Sequence, residues 1–249
     1  MDLKKYYFSG TSGLVLPINK EHYPAEFQEK TRLEYYASLL NTVEINSTFY
    51  KLPTSKTLLK WSESVPAEFQ FTLKISKTIT HSKQLEFSIE DVKEFMEVSE
   101  NIQDKKGCLL IQFPPSVRIE KFAKVQHLLK TIQELNKQNS WRIAVEFRDP
   151  SWYISEVSEI LEELNTTLVM HDLAKGKTGW EIANGKVVYI RLHGPEPRYR
   201  GSYSDEFLED LASKIKAWIQ EQKMVYVYFN NTMGSAFKNL EDLNKLVSS

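Results

Sequence analysis

The sequence predicts an α/β fold: a closed (β/α)8 barrel of the TIM type with an all-parallel sheet, built as one domain over residues 1–249. Three observations carry that expectation. Eight short segments rich in β-branched and aromatic residues recur along the chain, and stretches with helical spacing separate most of them. A chain of 249 residues is close to the usual length of one such barrel. Within the strand segments polar and apolar residues alternate, and each segment grows more polar toward its C-terminal end.

In chain order, the first strand is expected over residues 5–9. A helical pattern over 32–40 leads to a second strand at 42–46, and another over 56–64 leads to a third at 69–76. Helical spacing over 92–100 precedes the fourth strand at 108–113, and a longer run over 122–135 precedes the fifth at 142–148. The pattern over 156–164 introduces the sixth strand at 167–172. The next connection, residues 173–186, contains Gly176, Gly179 and Gly185 and supports little more than a helical turn, so the sixth crossover is weak. The seventh strand is expected at 187–193, followed by a helix over 207–219, the eighth strand at 224–230 and a closing helix over 237–246. No Pro/Gly/Ser-rich linker, low-complexity tract or fixed-period repeat interrupts this order.

Strand alternation predicts where the polar residues go. Tyr189, Arg191 and His193 oppose Val188, Ile190 and Leu192, and Tyr226, Tyr228 and Asn230 oppose Val225, Val227 and Phe229. Thr72 and Lys74 oppose Phe71 and Leu73, and Ala144, Glu146 and Arg148 oppose Ile143, Val145 and Phe147. Helices must cover the apolar parity, so the polar parity points into the barrel. Glu44, Asn46, Lys74, Gln112, Glu146, Arg148, Asp172, Arg191, His193, Tyr228 and Asn230 are thereby expected at one mouth. His171 has the opposite parity to Asp172, and Asp172 is the one expected to face inward.

Composition narrows the classes of function. Hydrophobic residues make up 41% and charged residues 26%, the balance of a globular chain. The net charge of −1 disfavours a protein that coats nucleic acid through bulk electrostatics, although a local basic patch stays open. The one cysteine, Cys108, lies in an apolar run and fits a reducing compartment. The first residues lack the apolar core of a signal peptide, and no stretch approaches the 18 or more apolar residues of a membrane span. The expected location is the cytoplasm, with no membrane partner. Oligomeric state is not readable.

The same residues carry a resemblance. Gly10-Thr11-Ser12-Gly13, Tyr23-Pro24 and the block Thr42-Val43-Glu44-Ile45-Asn46-Ser47-Thr48-Phe49-Tyr50 resemble motifs of the YecE-like family, domain of unknown function 72. So do Ile79-Thr80-His81, Gln112-Phe113-Pro114, Glu146-Phe147-Arg148 with Ser151-Trp152, Tyr189 to Gly194, and Tyr228-Phe229-Asn230-Asn231. The resemblance spans about residues 9–240 and implies a (β/α)8 barrel without supplying a reaction. Leu14 stands where that family usually has a Trp.

The chemistry expected of the mouth follows from residue type. Lys74, Arg148 and Arg191 suit an anionic, phosphorylated or nucleotide-like small ligand. Glu44, Glu146 and His193 suit proton transfer, with Asp172 orienting His193 or an arginine. Asn46, Gln112, Tyr228 and Asn230 suit hydrogen bonds to neutral substrate groups. The loop leaving His193 adds Arg198 and Tyr199, a cation beside an aromatic ring, which suits a stacked base or sugar. Glu146 and Arg191, at strand ends, are expected to be solvated, so that losing either costs little stability. The turn Ser9 to Gly13 is read as a plain turn rather than a phosphate cradle.

Sharper motifs are missing. There is no His-Glu-x-x-His, Cys-x-x-Cys, Walker A or Gly-x-Ser-x-Gly sequence, so no metal ligand or cofactor is expected. Two competing readings stay open: a metal-dependent nuclease or isomerase that uses Glu146, Asp172 and His193, and a non-catalytic ligand-binding or interaction protein that keeps the pocket.

Overall fold

The computed structural model describes residues 3–173 and 185–249. Nine strands are named in chain order: β1 (Tyr7–Thr11), β2 (Thr42–Ile45), β3 (Gln70–Lys74), β4 (Lys106–Gln112), β5 (Arg142–Glu146), β6 (Thr166–Leu168), β7 (Met170–His171), β8 (Val187–Leu192) and β9 (Met224–Phe229). Every pairing between them is parallel. They form two sheets, ordered β2-β3-β4-β5-β6 and β1-β9-β8-β7.

The two sheets meet at two places. Ser12, just beyond β1, bridges Glu44 of β2 in parallel, and the Gly13 N–H donates to the Glu44 carbonyl at 2.8 Å. On the other side the chain itself crosses over. The Val169 N–H donates to the Val145 carbonyl at 2.8 Å, and Met170 then pairs with Ile190. The expected sixth strand is thus two short pieces with Val169 between them. The connection over 173–186 lies, apart from its ends, outside the described residues.

Gly10 explains how β1 comes so close to β2. A Cβ on Gly10 would sit 2.2 Å from the Thr42 carbonyl oxygen, so only a residue without a side chain fits the seam.

Among the described residues helices precede β2, β3, β4, β5, β6 and β9, and local sequence sets their ends. Thr31 and Glu34 form a capping box at the start of Arg32–Leu39, and this helix buries Leu33, Tyr36 and Ala37. Ser204 caps Asp205–Gln220, with Asp205 and Glu206 in its first turn. Leu208, Leu211, Ala212, Ile215, Trp218 and Ile219 form its buried stripe. Among the described residues no helix is long and apolar enough to cross a membrane.

The apolar interior divides in two. One cluster packs helices against the outer strand parity, including Val43, Phe71, Leu109, Val145, Ile190 and Val227. The other fills the inside, with Phe8, Cys108, Leu110, Ala144, Val169, Tyr189, Tyr226 and Tyr228. The inner cluster is apolar toward the strand starts and gives way to charge toward the strand ends. That gradient positions the site.

Candidate functional site

Arg191, on β8, is the hub. Its Nε donates to Glu44 Oε2 at 2.9 Å and its Nη2 to Glu44 Oε1 at 2.8 Å, while Nη1 donates to Glu146 Oε2 at 2.5 Å. Glu44 also accepts from the Tyr189 hydroxyl at 2.6 Å, the Ser12 hydroxyl at 2.7 Å and Asn46 Nδ2 at 3.1 Å. Glu44 and Glu146 are 0% exposed and Arg191 is 1% exposed.

This corrects two expectations. Glu146 and Arg191 are not a solvated pair, and Arg191 is not a free anion grip, because it is buried and gives three of its five N–H groups to two carboxylates. Charge at a strand end reads as solvated only if the loops above leave it open, and here they do not. Burial by itself raises the Glu44 and Glu146 carboxyls, but Arg191 outweighs it in both, joined by hydrogen bonds at Glu44 and by Arg148 at Glu146. Glu44 therefore lies below the ordinary carboxylate range and Glu146 well below it. Both are fixed negative charges and poor proton donors.

Arg148, just past β5, donates from Nε to Glu146 Oε1, and its Nη2 lies 3.3 Å from His193 Nε2. Its side chain keeps 16% of its surface exposed. Lys74, at the end of β3, donates to Gln112 Oε1 at 2.9 Å, and its Nζ stands 4.1 Å from the centre of the Phe49 ring. Burial and the nearby Arg191 push the Lys74 amine down to about 8. Gln112 turns its amide nitrogen to the Phe113 carbonyl at 2.9 Å, which fixes its oxygen toward Lys74.

His193 follows β8. Its backbone N–H donates to Asp172 Oδ1 at 2.8 Å, and its Nδ1 lies 3.4 Å from the same oxygen. Nε2 faces Arg148 and, at 3.4 Å, Arg191 Nη1. Burial lowers the imidazole below its ordinary value, so the ring is neutral at pH 7.

The sixth strand reverses the expected parity. Val169 faces the inner cluster, so His171 points inward with it. The His171 ring centre lies 5.8 Å from that of His193, and Nε2 lies 3.0 Å from the Tyr153 hydroxyl. Asp172 sits beyond the strand, where it accepts from the His193 N–H and the Tyr203 hydroxyl. It orients His193 from the side and does not enter the cation cluster.

Tyr228 is also misplaced by the sequence reading. It is fully buried, with its hydroxyl 2.8 Å from Thr42 Oγ1 and 2.6 Å from Thr72 Oγ1, below the mouth. Asn230 is half-buried and extends the β8–β9 ladder through its N–H to the Leu192 carbonyl at 2.7 Å. Arg198 and Tyr199 lie on the exposed loop, and the Tyr199 ring centre is 5.8 Å from that of His193. Residues 9–11 of the expected Ser9 to Gly13 turn belong to β1, and the hydroxyls of the segment are spent internally, Ser9 on Asn244 Oδ1, Thr11 on the Gly13 carbonyl and Ser12 on Glu44. The sequence reading missed Tyr189, Ser12, Tyr153, Tyr203 and His171 as site residues. Tyr189 carried a usable signal, since it shares the inward parity of Arg191.

The arrangement does not suit the metal reading. Glu146 spends its oxygens on two guanidinium groups and Asp172 on an N–H and a hydroxyl, so with His193 they do not converge on one point. Among the described residues no group of three or more His, Cys, Asp or Glu side chains is placed to hold a metal ion.

The comparisons with known proteins agree on family and fold. The model of the family described as "Protein of unknown function DUF72" matches residues 8–249. The UPF0759 protein YunF of Bacillus subtilis (strain 168) is 23% identical over 249 residues, covering 85% of this chain and 84% of that protein. A crystal structure of a DUF72 family protein (EF0366) from Enterococcus faecalis V583 superposes with a TM-score of 0.79 at 24% identity, covering 98% of this chain and 96% of that one. D-psicose 3-epimerase from Clostridium cellulolyticum H10 is similar in fold alone, with a TM-score of 0.58 at 9% identity over 96% of this chain and 95% of that one.

Proposed function

This chain belongs to the family described as Protein of unknown function DUF72, and for it we propose an enzyme that binds a small anionic, phosphorylated substrate at the strand ends and moves a proton with His193. One observation carries the reading: within the cation cluster, which Asp172 does not enter, the charges do not cancel. Three cations (Lys74, Arg148, Arg191) stand against two carboxylates (Glu44, Glu146), and those two are taken up by Arg191 and Arg148. None of the ion pairs among the described residues includes Lys74. A partly buried ammonium without a counter-ion costs several kcal/mol unless something supplies the charge, and an anion from solution supplies it.

With its amine at about 8, Lys74 is still mostly protonated at pH 7. An anion held by Lys74 draws on the most exposed guanidinium of the cluster, that of Arg148. Arg148 is also the group whose N–H faces His193 Nε2. Turning Arg148 toward the anion removes the nearer of the two guanidinium N–H groups that face this nitrogen, leaving Arg191 Nη1 at 3.4 Å, while Asp172 stands at the Nδ1 edge of the ring. Substrate binding thus creates the base next to the bound group. Glu44, Glu146 and Arg191 form the rigid charged floor, and Asn46 and Gln112 set its edges.

Thermal melting in phosphate tests the reading. A ligand at 100 times its dissociation constant adds roughly 2.7 kcal/mol. Phosphate should raise the melting temperature of the wild type and not of Lys74→Met. A shift no larger than that from a neutral sugar, or an equal shift in Lys74→Met, would leave the cations as internal bracing only.

A further inference from the structure

We infer that Tyr199 is a stacking platform for a nucleobase, so that the anion is the phosphate of a nucleotide; this rests on the anion-site reading above. Tyr199 is 41% exposed although its ring neighbours that of His193. It shares with Tyr50 the distinction of being an exposed aromatic among the described residues, and both lie on loops that leave C-terminal strand ends. An apolar ring left open beside a charged mouth is the arrangement that takes a flat partner.

The backbone supports this. Arg198 and Tyr199 have φ of +65° and +61°, two successive residues in the left-handed region that L side chains disfavour. Such outliers persist only where surrounding contacts enforce them, and they cluster at ligand sites. Here the enforcement is visible on every side. The Met233 N–H holds the Tyr199 carbonyl at 3.2 Å, and the Ser235 N–H holds that of Gly201 at 3.2 Å. Asn231 Nδ2 donates to the same Gly201 carbonyl at 3.1 Å. At the loop's root, Gly194 has φ of +103°, and a Cβ there would meet the Arg200 carbonyl oxygen at 2.2 Å. The Gly194 N–H and Asp172 both bind the Tyr203 hydroxyl. A surface loop with no task for Tyr199 would not need this holding.

The spacing suits one nucleotide. Tyr199 touches His193 and His193 touches Arg148, so the ring and the anion-binding cation are two contacts apart, as a base is from its own phosphate across one sugar. Arg198 and Arg200 flank the ring, exposed and in no ion pair among the described residues, which adds positive charge at the ring's edge.

The test measures dissociation constants of ribose 5-phosphate and adenosine 5′-monophosphate by calorimetry, for wild type, Tyr199→Ala and Tyr199→Phe. The nucleotide should bind the wild type about tenfold more tightly than the sugar phosphate, the scale of one base–aromatic stack. Tyr199→Ala should erase that margin and leave the sugar phosphate unchanged, and Tyr199→Phe should keep it. If both ligands bind the wild type equally, or the margin survives in Tyr199→Ala, the platform is overturned while the anion site stands. If neither phosphate ester binds, both fall together.

Discussion

Glu44 on β2 and Arg191 on β8 meet across the inside of the fold in a two-point salt bridge of 2.8 and 2.9 Å, with both side chains sealed from solvent. The same guanidinium reaches Glu146 on β5, so one cation ties together strands from both sheets.

Removing that cation should therefore be severe. Arg191→Met leaves two buried carboxylates with their main counter-charge gone, and losing one partner of a buried pair costs about 3–5 kcal/mol. Combining it with Glu44→Gln and Glu146→Gln removes the stranded charges and should recover much of the loss. Denaturant melts of the single and triple variants measure both effects. A single variant as stable as wild type would mean that the network is solvated after all.

Acid should unfold the protein in two stages. Burial holds the His193 and His171 imidazoles below their ordinary values, so below about pH 6.5 the unfolded chain takes up protons that the folded one refuses. Glu44 and Glu146 have lowered folded values, so their contribution is full above about pH 4.3 and is lost as pH falls through the folded values. Both effects make stability fall with falling pH. Melting temperature measured from pH 8 to pH 3 should decline first below about 6.5 and again below about 4.3, and His193→Gln should flatten the first decline. A flat profile down to pH 4 would contradict the buried, neutral histidines.

The strand positions were legible because alternation and helical spacing are local. Expected and observed strands differ by a few residues at their ends, as at residues 5–9 against Tyr7–Thr11. The site was legible as a set of residues but not as a set of partners. Arg191, Glu44 and Glu146 look alike as strand-end charges whether solvated or buried, because burial depends on loops from elsewhere in the chain. His171 is missed although the alternation runs unbroken past Val169, with Leu168 and Met170 packed outside and Val169 inside, because no signal local to residues 171 and 172 says which of the two parities faces inward. Tyr189 is legible as an inward-facing residue but not as a site residue, since nothing local reveals that its hydroxyl meets a carboxylate 145 residues away in sequence.

The Lys74 amine sets the alkaline limit of anion binding. The charged form binds, so affinity should fall as pH rises through about 8. An ordinary lysine would hold to about pH 10.4. Sulfate, which does not titrate in this range, is the ligand to use in a calorimetric series from pH 6.5 to pH 9.5. Affinity unchanged across that range would show that Lys74 takes no part.

The β1–β2 seam should tolerate no side chain at Gly10. With the Thr42 carbonyl oxygen 2.2 Å from the place of its Cβ, Gly10→Ala must push two strands apart, at a cost on the order of 1–3 kcal/mol. Gly13→Ala is the control for conformational strain alone, since its Cβ would meet nothing within 4 Å although its φ is +84°. A denaturant melt compares the two, and equal losses would discount the close approach.

The central claim is that Lys74 and Arg148 together hold an anion, and a crystal soaked in tungstate tests it most directly. Tungsten marks a phosphate-like oxyanion by its anomalous scattering. The account predicts one strong peak within hydrogen-bond reach of Lys74 Nζ and the Arg148 guanidinium, absent from crystals of Lys74→Met. Peaks confined to surface lysines or to the Arg198 and Arg200 loop, with none between Lys74 and Arg148, would contradict it.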